Sequence, residues 1–300
     1  MSQHAIATVK RELLVRYLEA WVPAALHRAR RVLYAHGYAD ADGGASAEAA
    51  MRVLAEQTDL VRGRELTMVA TGHDLDEIGV RLNAIQAASG AGAGLAVHTI
   101  SGGTDGRLPV GLKAVGAQRV PLLGFLDAAN EDAAPAPAAV GALTAGKPAE
   151  VLLVLPPGST AAPYRAGWPL FTQVELAVSD EPGELLVFGA TTGKSLEGFK
   201  EALWSVDEFA GVRYRDPGDP DRHLIDISLA PHPGPLRREI LAHLERVGAA
   251  TVTELRTFAL TDTVYRAADA TRVLHQLIDA EAVTRRPSDG RLGGDVVISL

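Results

Sequence analysis

Gln173-Val-Glu-Leu-Ala-Val178 and Glu184-Leu-Leu-Val-Phe-Gly189 are two apolar runs joined only by Ser179-Asp-Glu-Pro-Gly183. A Pro-Gly turn of that length permits an antiparallel hairpin, whereas a parallel pair needs a crossover of about a dozen residues. Upstream the chain has a different rhythm. Strand-like runs begin at Arg31, Leu66, Leu95, Val120 and Glu150, and helical segments are expected over Ser46–Val61, Leu75–Ala88 and near Val110–Val115. Near-continuous apolar strands alternating with helices argue for a parallel sheet covered on both faces.

Five parallel strands followed by a hairpin is the pattern of a class I methyltransferase-like (Rossmann-like) seven-stranded sheet. The expected fold class is therefore α/β, preceded by an amphipathic helix carrying Leu13, Leu14, Tyr17, Leu18 and Trp21 on one face. Pro231-His-Pro-Gly-Pro235 cannot continue a helix or a central strand and reads as a linker. Beyond it, a helix over Leu236–Val247 precedes a second starting near Thr251, with Thr253 as its expected cap. A third helix spans Arg266–Ala280, and Val283–Arg286 pairs with Asp295–Leu300 around Ser288-Asp-Gly290. That order predicts a winged helix. The expected domains are an α/β domain over 1–230 and a winged helix over 235–300.

Composition narrows the function classes. The 300 residues carry 29 basic and 37 acidic side chains, a net charge of −8, which excludes a generally basic nucleic-acid coat. The absence of cysteine excludes disulfides, zinc ribbons, iron–sulfur clusters and thiol nucleophiles. No apolar run reaches the roughly 18 residues of a membrane span. The charged start at Lys10-Arg11-Glu12 does not suit a signal peptide, so no membrane association and a cytoplasmic location are expected. No metal site is expected, because the nine histidines are scattered, none paired at helical metal spacing.

Gly193-Lys194-Ser195 resembles a phosphate-binding loop, but Gly189 and Gly193 enclose three residues where four are required. It reads better as a capped helix start. The glycines at 90, 92 and 94 precede a strand, the wrong end of the unit for a ligand, and read as a turn. The loop His36-Gly37-Tyr38-Ala39-Asp40-Ala41-Asp42 lies at the right end of the first strand for a cofactor. A solvated loop is its plainer reading, since Asp40 and Asp42 oppose an anionic ligand. Asp74 sits where a carboxylate holds ribose hydroxyls, yet Asp74-Leu-Asp-Glu77 also reads as a helix cap. Asp127 ends the fourth strand, where catalytic groups lie. The Ala/Pro stretch 133–139 reads as a loop or lid. For nucleic acid, Arg266 and Arg272 on the third C-terminal helix and Arg285 and Arg286 at the wing are the candidates. Residues 234–300 nonetheless hold nine arginines against nine acids, leaving the unit neutral.

Several segments together resemble the three-Cys-motif partner proteins (TcmP). Lys10-Arg-Glu-Leu-Leu-Val-Arg-Tyr17-Leu18-Glu-Ala-Trp21 is similar to the family's lysine-led helix ending in Tyr-Leu-x-x-Trp. Phe199-Lys200-Glu-Ala-Leu-Trp204-Ser-Val-Asp207 is similar to its Met-Lys-x-Ala-Met-Trp-x-Val-Asp helix. The resemblance implies a methyltransferase-like scaffold, an S-adenosylmethionine loop and a partner protein bearing three cysteines. This chain departs from the family's Asp-Gly-Phe-Ala-Gly-Pro-Gly loop, having His36, Asp40 and Asp42 where the family has aspartate and two glycines. After Asp127 it continues Ala128-Ala129-Asn130 instead of Pro-Phe-Gly.

The expectation is thus a partner protein with a degenerate cofactor site, its winged helix making protein or nucleic-acid contact. One alternative is an active S-adenosylmethionine-dependent methyltransferase acting on nucleic acid or a small molecule. In it, Gly37, Tyr38, Asp40 and Asp74 hold the cofactor and chemistry occurs near Asp127. The other is a ligand-sensing DNA-binding regulator that uses Arg266, Arg272, Arg285 and Arg286.

Overall fold

The structure is a computed structural model that describes residues 2–207 and 211–300. Helix α1 (Ser2–Arg28) leads into strand β1 (Arg31–Gly37). Then α2 (Ala45–Ala55), β2 (Glu65–Gly72), α3 (Asp76–Ala88), β3 (Leu95–Ser101) and α4 (Thr104–Ala114) alternate. They are followed by β4 (Leu122–Asp127), α5 (Pro137–Ala142), β5 (Ala149–Leu155) and α6 (Ala162–Arg165). The hairpin strands β6 (Leu170–Ala177) and β7 (Glu184–Ala190) precede α7 (Gly193–Ser205).

These strands form a sheet in the order β3-β2-β1-β4-β5-β7-β6, with β1 to β5 parallel and β7 antiparallel to both its neighbours. The hairpin forms as the short link between its strands predicts. All seven residues of β5 are buried because alternate side chains enter two separate cores. Leu152 and Val154 join α1, α2 and α7 on one face; Val151 and Leu153 join α4 and α5 on the other.

Four element readings are corrected. The sheet has nine strands rather than seven, since β8 (Arg213–Arg215) and β9 (Leu224–Asp226) extend it beyond β6. Their cause is a buried cross-strand pair: Arg215 lies opposite Glu175 of β6, with Nη1 2.7 Å from Oε1. The same Glu175 oxygen accepts the Gly183 N–H at 2.6 Å, so one carboxylate fastens both the β6–β7 turn and β8. The second helix stops at Ala55 rather than Val61, and a helix of full length, Thr104–Ala114, replaces the turn near 110–115. Part of the Ala/Pro stretch is helical, because Pro137 opens α5.

The C-terminal segment contains α8 (Gly234–Val247), β10 (Ala249–Thr251), α9 (Val252–Asp262), α10 (Ala267–Asp279), β11 (Thr284–Arg286) and β12 (Val297–Ser299). The last strands form a separate antiparallel sheet, β10-β12-β11. Thr251, not Thr253, caps α9: it accepts the Glu254 N–H while Glu254 accepts the Thr251 N–H, a reciprocal capping box. The segment shares one apolar core with α1 and α7. Trp204 joins them, its indole donating to the Val264 carbonyl at 3.0 Å and stacking on Tyr265. The linker is also held, since the Tyr265 hydroxyl donates to the His232 carbonyl at 3.1 Å. No helix among the described residues is long and apolar enough to cross a membrane.

Candidate functional site

The chain reverses its direction across the sheet between β1 and β4, and ligands of open α/β sheets bind in the crevice outside that switch point. The loops after β1 and β2, the start of α4 and the end of β4 bring Tyr38, Asp40, Asp74, Asp105 and Asp127 to this edge. Their hydrogen bonds decide what the edge can do.

Tyr38 has a left-handed backbone, φ 55, and is buried. Its N–H donates to Thr104 Oγ1 at 2.7 Å, and its phenol donates to Asp105 Oδ1 at 3.0 Å. Burial and the Asp105 carboxylate push the phenol pKa far up, so it stays a donor. Asp105 Oδ2 in turn accepts the Ala136 N–H at 3.1 Å. The neighbouring Pro135 carbonyl accepts the Tyr164 hydroxyl at 2.7 Å. The segment after β4 is thereby tied to the ends of β1 and β3. Gly37 offers no open approach, since a Cβ there would lie 2.8 Å from the Thr104 methyl.

The β1 loop is not simply solvated, as its plainer reading held. Asp40 Oδ2 accepts the N–H groups of His73 and Asp74 at 2.8 and 3.0 Å, locking the β1 loop to the β2 loop. Asp40 Oδ1 is buried against Gly72 with no hydrogen-bond partner among the described residues. Asp42 accepts from the Ser46 N–H and hydroxyl at the start of α2. His36 points into the core, 2.8 Å from the Tyr34 hydroxyl, and burial lowers its pKa to about 4. It is neutral at pH 7. Asp74 is exposed and accepts the Asp76 N–H at 3.2 Å, while the cap position of α3 is Leu75, which corrects the cap expected at Asp74.

Asp127 lies against Lys10 of α1, Oδ2 to Nζ 2.7 Å, and Glu184 of β7 approaches the same ammonium at 2.7 Å. All three side chains are buried. Burial raises the Glu184 pKa, with Lys10 opposing it, so this cluster holds two carboxylates on one cation. Asp127 is therefore a paired group, with its other oxygen accepting the Ala129 N–H at 3.2 Å. Neither Lys10 nor Glu184 was among the candidate site residues. The legible signal was a lysine inside the apolar stripe that includes Ile6, Leu13 and Tyr17.

The glycine-lysine-serine turn is a capped helix start, as its plainer reading held. Thr192 caps α7 by accepting the Ser195 N–H, and the Ser195 hydroxyl donates to buried Glu150. The Tyr17 hydroxyl donates to the other oxygen of Glu150 at 2.6 Å. The glycines near 90–94 form a short turn between α3 and β3.

The four arginines proposed for nucleic acid part company. Arg266 precedes α10 and is committed to Asp269, 2.8 Å away, to Glu201 and to the Leu229 carbonyl. Arg285 turns back on the loop after β11, donating to the carbonyls of Pro287, Asp289 and Gly290 at 2.9 to 3.0 Å. Arg272 lies 3.4 Å from Asp269 with its side chain half exposed, and Arg286 is exposed on β11. Asp219, Asp221 and His223 come within metal-ligand distance of one another, but Asp219 spends both oxygens on N–H groups of its own turn.

No protein-family model and no curated protein matches the sequence. Among solved structures, spermidine synthase in complex with the transition state analogue AdoDATO aligns with a TM-score of 0.36 and 11% identity. Spermidine synthase from Thermotoga maritima aligns with a TM-score of 0.35 and 11% identity. Each alignment covers 65% of this chain and 65% of the other, so the chain spans less than two thirds of the length of either. A likeness of this degree identifies neither family nor activity.

Proposed function

We propose that the chain is a methyltransferase-like partner protein whose cofactor edge has been converted into structure. The strand order 3-2-1-4-5-7-6 supports the scaffold reading. The helix–strand–helix–helix–hairpin order of the C-terminal segment, with sheet β10-β12-β11, supports reading it as a winged helix. On this reading residues 1–230 are the α/β domain and 235–300 the contact domain.

The observation that carries the proposal is the bridge Tyr38–Asp105–Ala136 across the switch-point crevice. S-adenosylmethionine needs acceptors for its ribose hydroxyls and its ammonium, and room along the first loop. Here Asp40 Oδ2 is spent on two backbone N–H groups and its Oδ1 is buried against Gly72, while Asp105 is spent on Tyr38 and Ala136. Asp127 is paired with Lys10. Asp74 keeps an exposed oxygen beyond β2, but one carboxylate does not supply acceptors for both the ribose and the ammonium, so the residues present do not fit the cofactor and no reaction step is assigned to it. The commitments of Arg266 and Arg285 favour protein over nucleic acid as the partner of the winged helix, in line with the three-cysteine partner that the resemblance implies.

Thermal denaturation with and without S-adenosylmethionine tests this. A native-state ligand present at about 100 times its Kd stabilises by about 2.7 kcal/mol, several degrees for a small domain. No shift is expected. A saturable rise in Tm overturns the proposal.

A further inference from the structure

The net charge of −8 conceals a strongly polarised molecule. The connections at the edge of the sheet opposite the crevice are residues 28–31, 56–65, 113–121, 145–148 and 191–195, with the uncharged 89–94 and 166–169. Together they carry nine cations against three acids, a local +6 that leaves −14 on the rest of the chain. Two of the acids are already paired, Glu65 with Arg31 and Asp59 with Arg62; Glu56 is the third.

The cations are ordered by the sheet. Arg64 immediately precedes β2 and Arg30 immediately precedes β1. Arg119 lies just before β4, Lys147 just before β5, and Lys194 just after β7. In the sheet these five strands are consecutive, β2-β1-β4-β5-β7, and the pairings Arg31↔Glu65, Leu122↔Ala149 and Glu150↔Ala190 bring their ends level. All five side chains are exposed except Arg64, which is half-buried, and none has a carboxylate partner among the described residues. At roughly 4.8 Å per strand the row spans about 19 Å. One strand of duplex places a phosphate about every 3.4 Å of axis, so the row faces about five phosphates.

We infer that this edge binds the phosphate backbone of duplex nucleic acid. Three arginines and two lysines supply the charge, and arginine forks suit phosphate oxygens. None of the connections at this edge exposes an aromatic residue, since Trp168, just before β6, is buried. That argues against single strands, which are gripped by base stacking, and against a protein partner, whose interface centre is aromatic and apolar. Binding here is independent of sequence, because backbone contacts position a duplex without reading its bases.

Fluorescence anisotropy of the whole chain with labelled DNA and RNA duplexes of mixed sequence, followed through a salt titration, tests the inference. About five neutralised phosphates give a slope of log K against log salt near −4.5, or about 500-fold weaker binding over a fourfold salt increase. Arg30→Gln, Arg64→Gln and Arg119→Gln together lower the slope to about −1.8, and Lys147→Gln with Lys194→Gln lowers it to about −2.7. Arg272→Gln with Arg286→Gln, on the winged unit, leaves it unchanged. The two duplexes distinguish DNA from RNA as the source of the phosphates. A slope shallower than about −2 in the unaltered chain overturns the inference. So does tighter binding to single strands, binding of polyglutamate but not of duplex, or loss of the slope in the Arg272/Arg286 variant instead.

Discussion

The Lys10 ammonium lies 2.7 Å from Asp127 Oδ2, joining the first helix to the end of the fourth strand across 117 residues of chain. Burial pulls the lysine pKa down, but Asp127 and Glu184 more than compensate and hold it above its ordinary value. The pair places Asp127 in a closed ionic cluster. Lys10→Met strands two buried carboxylates and is expected to cost about 3–5 kcal/mol in urea denaturation. Asp127→Asn leaves the Lys10–Glu184 pair intact and costs less. Equal, small losses for both would show that the cluster is not structural.

Opening the crevice is expected to begin at Asp105. Asp105→Ala frees the Ala136 amide and the Tyr38 phenol from a charged acceptor, each bond worth about 1.5–3 kcal/mol. Native-state hydrogen exchange at Ala136 then accelerates by about tenfold or more, with the global unfolding midpoint much less affected. Unchanged protection at Ala136 would show that the segment after β4 is held by other contacts.

How much of this was legible in the chain follows from range. The parallel strands and the hairpin are readable because runs such as 149–155 are apolar throughout and the Ser179–Gly183 link is too short for a crossover. β8 and β9 are three residues each, carry arginine and aspartate, and exist because Arg215 meets Glu175 forty residues away. No local pattern encodes that meeting. The position of the β1 loop was legible; the direction of its carboxylates was not, since Asp40 is fixed by N–H groups at 73 and 74. The reciprocal cap Thr251–Glu254 is legible from spacing alone, because the glutamate stands three residues after Thr251 and only one after Thr253.

Between helix α7 and the C-terminal segment, the buried Lys200 and the half-buried Glu239 set opposite pH slopes. Burial lowers the Lys200 pKa to about 7, although Asp216, Glu239 and Asp262 face it. The unfolded lysine keeps its proton to about 10.5, so stability rises with pH between these values, at up to about 1.4 kcal/mol per unit. Burial, with Asp216 and Asp219, raises Glu239 from 4.5 to about 7, so the folded state holds the extra proton and stability falls over that interval. A minimum near pH 7 is expected in urea midpoints. Lys200→Met removes the rising limb and Glu239→Gln the falling one. Limbs that survive these changes would assign the titration elsewhere.

Arg285 is expected to matter for the loop between β11 and β12 and not for nucleic acid. Its guanidinium closes the loop from Pro287 to Gly290 through three carbonyls, so Arg285→Ala exposes Arg291 to trypsin faster than in the unaltered chain. The salt slope for duplex binding stays the same. A reduced slope with unchanged proteolysis would return Arg285 to the nucleic-acid interface.

The central claim is that the crevice between β1 and β4 no longer accepts S-adenosylmethionine. Calorimetric titration of the purified chain with S-adenosylmethionine, repeated with its demethylated product, tests it most directly. The account predicts no binding heat from either compound. A Kd of roughly 10 μM or tighter, near −7 kcal/mol, would contradict it and make the search for a methyl acceptor the next step.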